Sequence, residues 1–530
     1  MNILFRQSSL NCLLLFHIIF FTDIYARSLT SDNTNKNKLL EDQYEKKRNI
    51  LLRSEEERMA GGHIHLSRKE LVVDKILQKL KRDEIEKGYK NHTQFTPALH
   101  FFKAKPLIER SEIFKIIKMM PKGSALHLHN SASVSSEWII KNLTYREEVH
   151  YCLNKKGTTI FTVSDFQKCR DAPRNIVQIR SMKTREEVKI FDKWLESHIN
   201  MRTDFPEYEF PDQATVWKRF QNMFDTIEGL ITYEPISKIY HKRMFEELYE
   251  DGIFYVELRS SMKSLYDRFG AKYRSAKMLE DVINEFNYTH PDFVGAKVIF
   301  TMYRNFSSNL KKNKMEHFVS LRKSHSKLVM GFDFVGEEDL NSLSELRPYF
   351  DQLPNGTKLF LHAGETNWWG MPADLNLFDA ILMNVTRIGH GYALLKHPTL
   401  LDIIMQKKIA IEVNVICNQV LNLVNDLRNH PAAIYLALNL PVVIGNDDPT
   451  FWGAKGLSYD YYLAFMAFSP ANAGLKFLKQ LVTNSIKYSV LTNQERHRFD
   501  EIFERKWDEF LTKVIVNYRH IIISNNNHTR

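Results

Sequence analysis

From about residue 120 the chain alternates between short apolar runs and stretches of helical spacing. The apolar runs lie at 124–128, 253–258, 296–302, 328–335, 359–362, 387–389, 409–415 and 442–445, and each reads as a strand. Segments such as 396–406 and 432–440, between them, read as helices. Eight strand–helix units in a chain of this size predict an α/β fold, a (β/α)8 TIM barrel spanning about 111–515. One connection is too long for a simple crossover. More than a hundred residues separate the first two strands, which predicts an inserted subdomain at about 141–205. Upstream, residues 27–60 are polar and charged. Ser67 and Glu70 then form a capping-box pattern, and Val73, Ile76, Leu77 and Leu80 follow at helical spacing. The expectation is an N-terminal helical segment over 27–110, its apolar stripe packed on the body of the chain or on a second copy. A polar tail, Asn-rich at 525–527, occupies 516–530.

The first residues have a different pattern. Arg6 precedes an apolar stretch at 10–21, and Ala26 follows as a small residue. This is the layout of a secretory signal peptide over 1–26, too short in its apolar core for a membrane span. Cysteine usage agrees with secretion. Cys12 leaves with the signal, Cys152 and Cys169 are near enough in sequence to close a small loop in an oxidising compartment, and Cys417 remains as a buried, inert thiol. Glycosylation sequons begin at Asn91, Asn142, Asn287, Asn305, Asn355, Asn384 and Asn527. The chain is 44% hydrophobic and 26% charged, which excludes a disordered protein. Lys and Arg exceed Asp and Glu by 73 to 63, a net +10 over 530 residues. That excess suits polyanionic glycans and falls short of a nucleic-acid-binding composition.

Active sites of such barrels lie at the C-terminal ends of the strands. The first strand ends in His127-Leu128-His129, the fifth in His362-Ala363-Gly364-Glu365, the sixth in Gly389-His390-Gly391, and the eighth in Asp447-Asp448-Pro449. Strand alternation puts His127 and His129 on one side. A third histidine and a carboxylate from other strands complete a nitrogen–oxygen site suited to zinc. A histidine alone in an apolar strand is more often a satisfied core residue; the convergence of His127, His129, His362 and Asp447 from independent strands favours ligation. Glu365 reads as a catalytic acid beside His362. Asp448 also fits a second role, as helix N-cap before Pro449. The pair His63 and His65 has the same spacing but enters a helix, so it is rejected as a metal site. The fourth strand ends near Gly336 without a lysine, which points to one metal rather than a bridged pair. Walker A, G-x-S-x-G, G-x-G-x-x-G and H-E-x-x-H patterns are absent.

These strings have a family likeness. MPKGSALHLH at 120–129, HAGE at 362–365, RIGHG at 387–391 and DDP at 447–449 resemble adenosine deaminase. NQVL at 418–421, DLRNHP at 426–431 and GAKGLSYD at 453–460 resemble its secreted branch, the adenosine deaminase-related growth factors, over about 47–515. The resemblance implies zinc-dependent hydrolysis of adenosine, and of 2′-deoxyadenosine, to inosine and ammonia. His127, His129, His362 and Asp447 would hold Zn²⁺, one per subunit. Glu365 would protonate N1 of the purine, His390 would orient the attacking water, and Asp448 would bond N7. Gly336 would reach N3 through its backbone N–H, and Trp217 would close over the ribose. The resemblance also implies a homodimer formed through the helices at about 47–110, and a receptor- or glycan-binding role for the disulfide-bearing insertion. Asn130 departs from the branch, which carries Asp as a ribose contact there. An alternative within this likeness is a secreted growth factor that binds a receptor or glycosaminoglycan, with vestigial catalysis.

Overall fold

The computed structural model describes residues 33–163, 166–267, 269–270 and 272–523. The expected signal peptide with Cys12, and the sequon at Asn527, lie outside the described residues. Asn33–Arg58 is a helix, and the chain up to Glu57 is a unit of its own. Residues 41–57 of that helix are exposed throughout, Leu51 by 61%.

In the second unit, from Arg58 onward, a parallel barrel forms the centre. Its first strand is β1 (Gly123–His129). The long connection that follows carries a small antiparallel sheet of β2 (His150–Leu153), β3 (Thr159–Thr162) and β4 (Arg174–Asn175), with β2 in the middle. Barrel strand β5 (Ile253–Ser260) comes next, then a hairpin of β6 (Leu265–Tyr266) and β7 (Lys272–Tyr273). The barrel continues with β8 (Gly295–Tyr303), β9 (Val329–Val335), β10 (Lys358–Leu359), β11 (His362–Ala363), β12 (Arg387–His390), β13 (Ala410–Asn414) and β14 (Val442–Gly445). Pairing runs β1-β5-β8-β9-β10 and β11-β12-β13-β14, all parallel.

Two seams close the ring. The fifth barrel strand, expected as one run over 359–362, is split into β10 and β11 by Phe360 and Leu361. It stays joined to the sixth, because Thr386 N donates to Leu359 O at 2.8 Å and Gly389 N to Leu361 O at 2.8 Å. The eighth meets the first where His129 N donates to Asp447 O at 2.9 Å. The helix expected over 432–440 is shorter, Ala432–Ala437, and a 3₁₀ turn at Tyr392–Lys396 precedes the helix Pro398–Lys407.

Inside the barrel, ionised side chains replace part of the apolar core. Arg259 Nε meets Asp333 Oδ2 at 2.9 Å and its Nη2 meets Glu412 Oε2 at 2.6 Å. Arg387 Nε meets Glu412 Oε1 at 2.6 Å and its Nη2 meets Glu257 Oε2 at 2.7 Å. All five side chains are inaccessible, so each charge is satisfied by its neighbours rather than by water. This lattice lies directly beneath the strand ends and sets their chemistry.

Two further features frame those ends. Cys152 and Cys169 form a disulfide with Cα atoms 5.7 Å apart. Strand β3 packs on the helix Gln213–Ile231, where Thr226 Oγ1 donates to Thr159 O at 2.8 Å, and that helix carries Trp217. The helix Arg68–Lys90 begins with the expected capping box, and Val73, Ile76 and Leu77 are fully buried. Trp507 Nε1 donates to Glu70 Oε1 at 2.9 Å and Leu475 N to Asp74 Oδ1 at 2.7 Å, so this stripe packs on the same chain.

Candidate active site

His127 is fully buried at the base of the site, and its Nδ1 lies 2.7 Å from Glu412 Oε2. Burial opposes ionisation of Glu412, but Arg259 and Arg387 outweigh it and hold the carboxyl well below its usual range. An ionised carboxylate can only accept, so Nδ1 carries a proton, and the neutral ring, the form that binds a metal, has its lone pair on Nε2. His362 repeats the arrangement, with Nδ1 2.7 Å from Asp333 Oδ2. Asp333 also accepts from the backbone N–H of His362 at 3.0 Å, which fixes the residue as well as the ring.

The freed nitrogens converge on Asp447. His127 Nε2 lies 3.3 Å and His129 Nε2 3.0 Å from Asp447 Oδ1. The rings of His127 and His362 are 4.8 Å apart by centroid. His127 Nε2 and Asp447 Oδ1 are buried without a hydrogen-bond partner. A lone pair set against a carboxylate oxygen in a buried site is costly unless a cation lies between them. The donor set therefore fits a metal ion, its histidines oriented by outer carboxylates.

His390 also belongs to this group: candidate ligand atoms of His127, His362, His390 and Asp447 all lie within 4.8 Å of one another. His129, Asp447 and Asp448 make a second, overlapping group. His390 and Asp447 both adopt left-handed backbone conformations, φ 61° and 54°. Such conformations cost about 1–3 kcal/mol in residues other than glycine, and here they swing two side chains from strand ends into one space.

Glu365 is buried, and its backbone N–H donates to Glu338 Oε2 at 2.7 Å. Glu338 also accepts from Gly364 N at 2.9 Å and Asn376 Nδ2 at 2.7 Å, so a buried carboxylate holds the Glu365 backbone in place. Burial, then the charge of Asp447, pushes the Glu365 carboxyl well above its usual range. Cys417 is buried and free, as expected, with Sγ 3.9 Å from Glu365 Oε1. Burial and the nearby acidic groups push its thiol up, away from a thiolate.

A cavity of about 430 Å³ opens above these groups, within the range of small-molecule sites. Asn130, Trp217, Gly336 and Asp448 all line it, together with His129, His362, Glu365, His390 and Asp447. Asp448 begins the helix Pro449–Trp452 but makes no side-chain cap bond, and its Oδ1 is buried without a partner. Burial, then Asp447, pushes its carboxyl well above the usual range. Gly336 has φ 99°, and a Cβ there would stand 2.2 Å from the Tyr303 ring, so only glycine fits. His63 and His65 are exposed, away from the strand ends.

Sequence reasoning missed Glu412, Asp333, Glu338, Asn414, Asn418 and His430. The first two had a signal: charged residues recur inside otherwise apolar barrel strands, and such charges need internal partners. The others are set by contacts distant in sequence and have no local pattern.

The family model "Adenosine deaminase" matches residues 198–505, and "Adenosine/AMP deaminase N-terminal" matches 12–117. Adenosine deaminase 2-A of Danio rerio is 41% identical over 482 residues, 88% of this chain and 93% of that protein. Adenosine deaminase 2 of Homo sapiens is 40% identical, over 88% and 92%. An adenosine deaminase of Phlebotomus duboscqi is 37% identical, over 87% and 90%. Among solved structures, Arabidopsis ADAL complexed with IMP superposes with TM-score 0.53 at 16% identity, covering 75% of this chain and 99% of that one. An amidohydrolase from Burkholderia ambifaria with bound Zn gives 0.52 at 16% identity, over 76% and 95%. At those identities the structures establish the shared barrel, while the matches in sequence establish the lineage: the chain belongs to the adenosine deaminase family and is an adenosine deaminase-type enzyme.

Proposed function

We propose that this enzyme is a secreted zinc aminohydrolase that converts adenosine, and 2′-deoxyadenosine, to inosine and ammonia. The observation that carries the reading is the facing pair of unpartnered buried atoms, His127 Nε2 and Asp447 Oδ1, with Asp447 and Glu365 lining one cavity and burial pushing the Glu365 carboxyl up. Three imidazoles and one carboxylate, from His127, His129, His362 and Asp447, suit zinc. Bound there, zinc polarises water and brings its pKa toward neutrality.

The remaining steps belong to the protein. Glu365, its carboxyl pushed up by burial, gives its proton to purine N1, so the ring accepts electrons as C6 becomes tetrahedral. His390 faces the same space and orients the attacking water. Asp448 hydrogen-bonds N7 and fixes the ring in register. The Gly336 N–H serves N3, and Trp217 covers the ribose. The disulfide supports an oxidising compartment and hence the signal peptide over 1–26. In that setting the enzyme lowers extracellular adenosine and thereby acts as a growth factor. A homodimer through the N-terminal helices and a glycan- or receptor-binding insertion complete the proposal.

The test follows the ultraviolet change as adenosine becomes inosine. Zinc-loaded protein is expected to turn adenosine over, while metal-stripped protein and Glu365→Gln are silent. Full activity in either control would remove this mechanism.

A further inference from the structure

A chain of hydrogen bonds leads from one backbone N–H to His390, and every link has a defined direction. Ala432 N donates to His430 Nδ1 at 3.0 Å, and a backbone amide can only donate. His430 Nδ1 is therefore unprotonated. Burial pushes that ring's pKa down to about 3, so it is neutral and its proton sits on Nε2. His430 Nε2 lies 3.0 Å from Asn418 Oδ1, which accepts. This fixes the amide of Asn418, whose Nδ2 points at His390 Nδ1 from 3.0 Å. His390 Nδ1 is thus the acceptor, and the His390 proton belongs on Nε2.

Three further groups face His390. Glu365 Oε1 lies 3.3 Å from the same Nδ1. Asn414 Nδ2, with two N–H groups, lies 3.3 Å from both His390 Nε2 and Asp447 Oδ2. A neutral imidazole accepts at one nitrogen only, and the shorter contact, 3.0 Å from Asn418 with its direction fixed, takes that place at Nδ1. Asp447 Oδ2 is 3.6 Å from His390 Nε2, on the side of the reacting space. Asn418 is inaccessible and His430 is 2% exposed, so water cannot substitute for either link.

We propose that Asn418 and His430 are positioning residues that lock His390 in the tautomer protonated at Nε2. His390 then presents a hydrogen-bond donor to the attacking oxygen and stabilises charge there, rather than accepting a proton at that nitrogen. The inference rests on His390 acting in the reaction as proposed above.

Long-range ¹H–¹⁵N correlation on histidine-labelled, zinc-loaded enzyme reads the tautomer directly, with His390→Gln as the assignment control. Protonated Nε2 is expected; protonated Nδ1 overturns the proposal without any variant having to fold. Asn418→Asp is nearly isosteric but can only accept, so it pulls the His390 proton to Nδ1. By analogy with other wrong-tautomer variants, kcat is expected to fall at least about 100-fold, with KM within about three-fold and zinc content unchanged. A kcat within about three-fold of the parent enzyme sinks the lock. His430→Gln keeps an amide donor toward Asn418 and is expected to retain at least about ten-fold more kcat than His430→Leu. If His390→Gln itself keeps full kcat while the parent enzyme still carries the Nε2 proton, the role of His390 fails and the tautomer assignment stands.

Discussion

At the scale of single residues, Asn130 separates what this site retains from what it changes. It follows His129 directly and lines the cavity, and its Oδ1 is buried without a hydrogen-bond partner. A neutral amide there offers one acceptor and a donor where a carboxylate would offer charge. On the proposed function, a charge-assisted bond to a ribose hydroxyl missing there is worth about 1–2 kcal/mol, roughly ten-fold in binding. Asn130→Asp is therefore expected to lower KM for adenosine by about that factor with kcat little changed, and steady-state kinetics decide it. An unchanged or higher KM would detach Asn130 from the ribose. The residues on strand ends were legible because their chemistry and their spacing coincide: two histidines at alternate positions of one strand need nothing else to share a face. Asp448 was less so. Sequence left it between N-cap and ligand contact, and only the absence of a cap bond distinguishes them. Asn418 and His430 lie in strings that carry the family likeness, but their role was not legible there, since it lies in which atom of each faces the next.

Among the elements, the barrel strands do two things at once. Their outward residues and hydrogen bonds close the ring, and their inward charges orient the metal-site histidines from below. The strand series was readable as eight short apolar runs, but the interior charges were not read as a network, because pairing between β5, β9, β12 and β13 is a matter of register. The split of the fifth strand was also invisible, because Phe360 and Leu361 are as apolar as a continuous strand demands. Asp333 tests the inner layer. It accepts from His362 Nδ1, from His362 N and from Arg259 Nε. Asp333→Asn keeps the shape but removes the charge that fixes the imidazole. Loss of such an outer partner typically weakens metal affinity by 10–100-fold, and a shift of roughly that size is expected here in competition with a chromophoric zinc chelator. Unaltered zinc affinity would mean that the strand end alone orients His362.

Over the whole of the second unit, the barrel is fastened by segments distant in sequence. The helix Arg68–Lys90 lies against the helices Ser458–Ala467, Leu475–Lys487 and Asn493–Tyr518 through Lys81, Asp74 and Glu70. Lys81 is inaccessible, and its Nζ donates to Phe465 O at 2.7 Å, Ser469 O at 3.0 Å and Ser469 Oγ at 2.6 Å. The three acceptors are neutral, so burial dominates and lowers its pKa to about 7. In the unfolded chain a lysine titrates near pH 10.4. Between these values the unfolded state binds more protons than the folded state, so this residue makes stability rise with pH. Below about pH 7 the cost of the buried ammonium is present in full; it is relieved progressively up to about pH 10. The slope within that window is on the order of 1 kcal/mol per pH unit. Lys81→Met leaves the carbonyls unpaired at every pH, a constant penalty that does not alter slope. Denaturant titrations from pH 6 to 10 are therefore expected to show the parent enzyme gaining stability relative to Lys81→Met as pH rises. Parallel profiles would mean that the three acceptors and the Phe465 ring, 4.3 Å away, keep the ammonium as stable inside as in water.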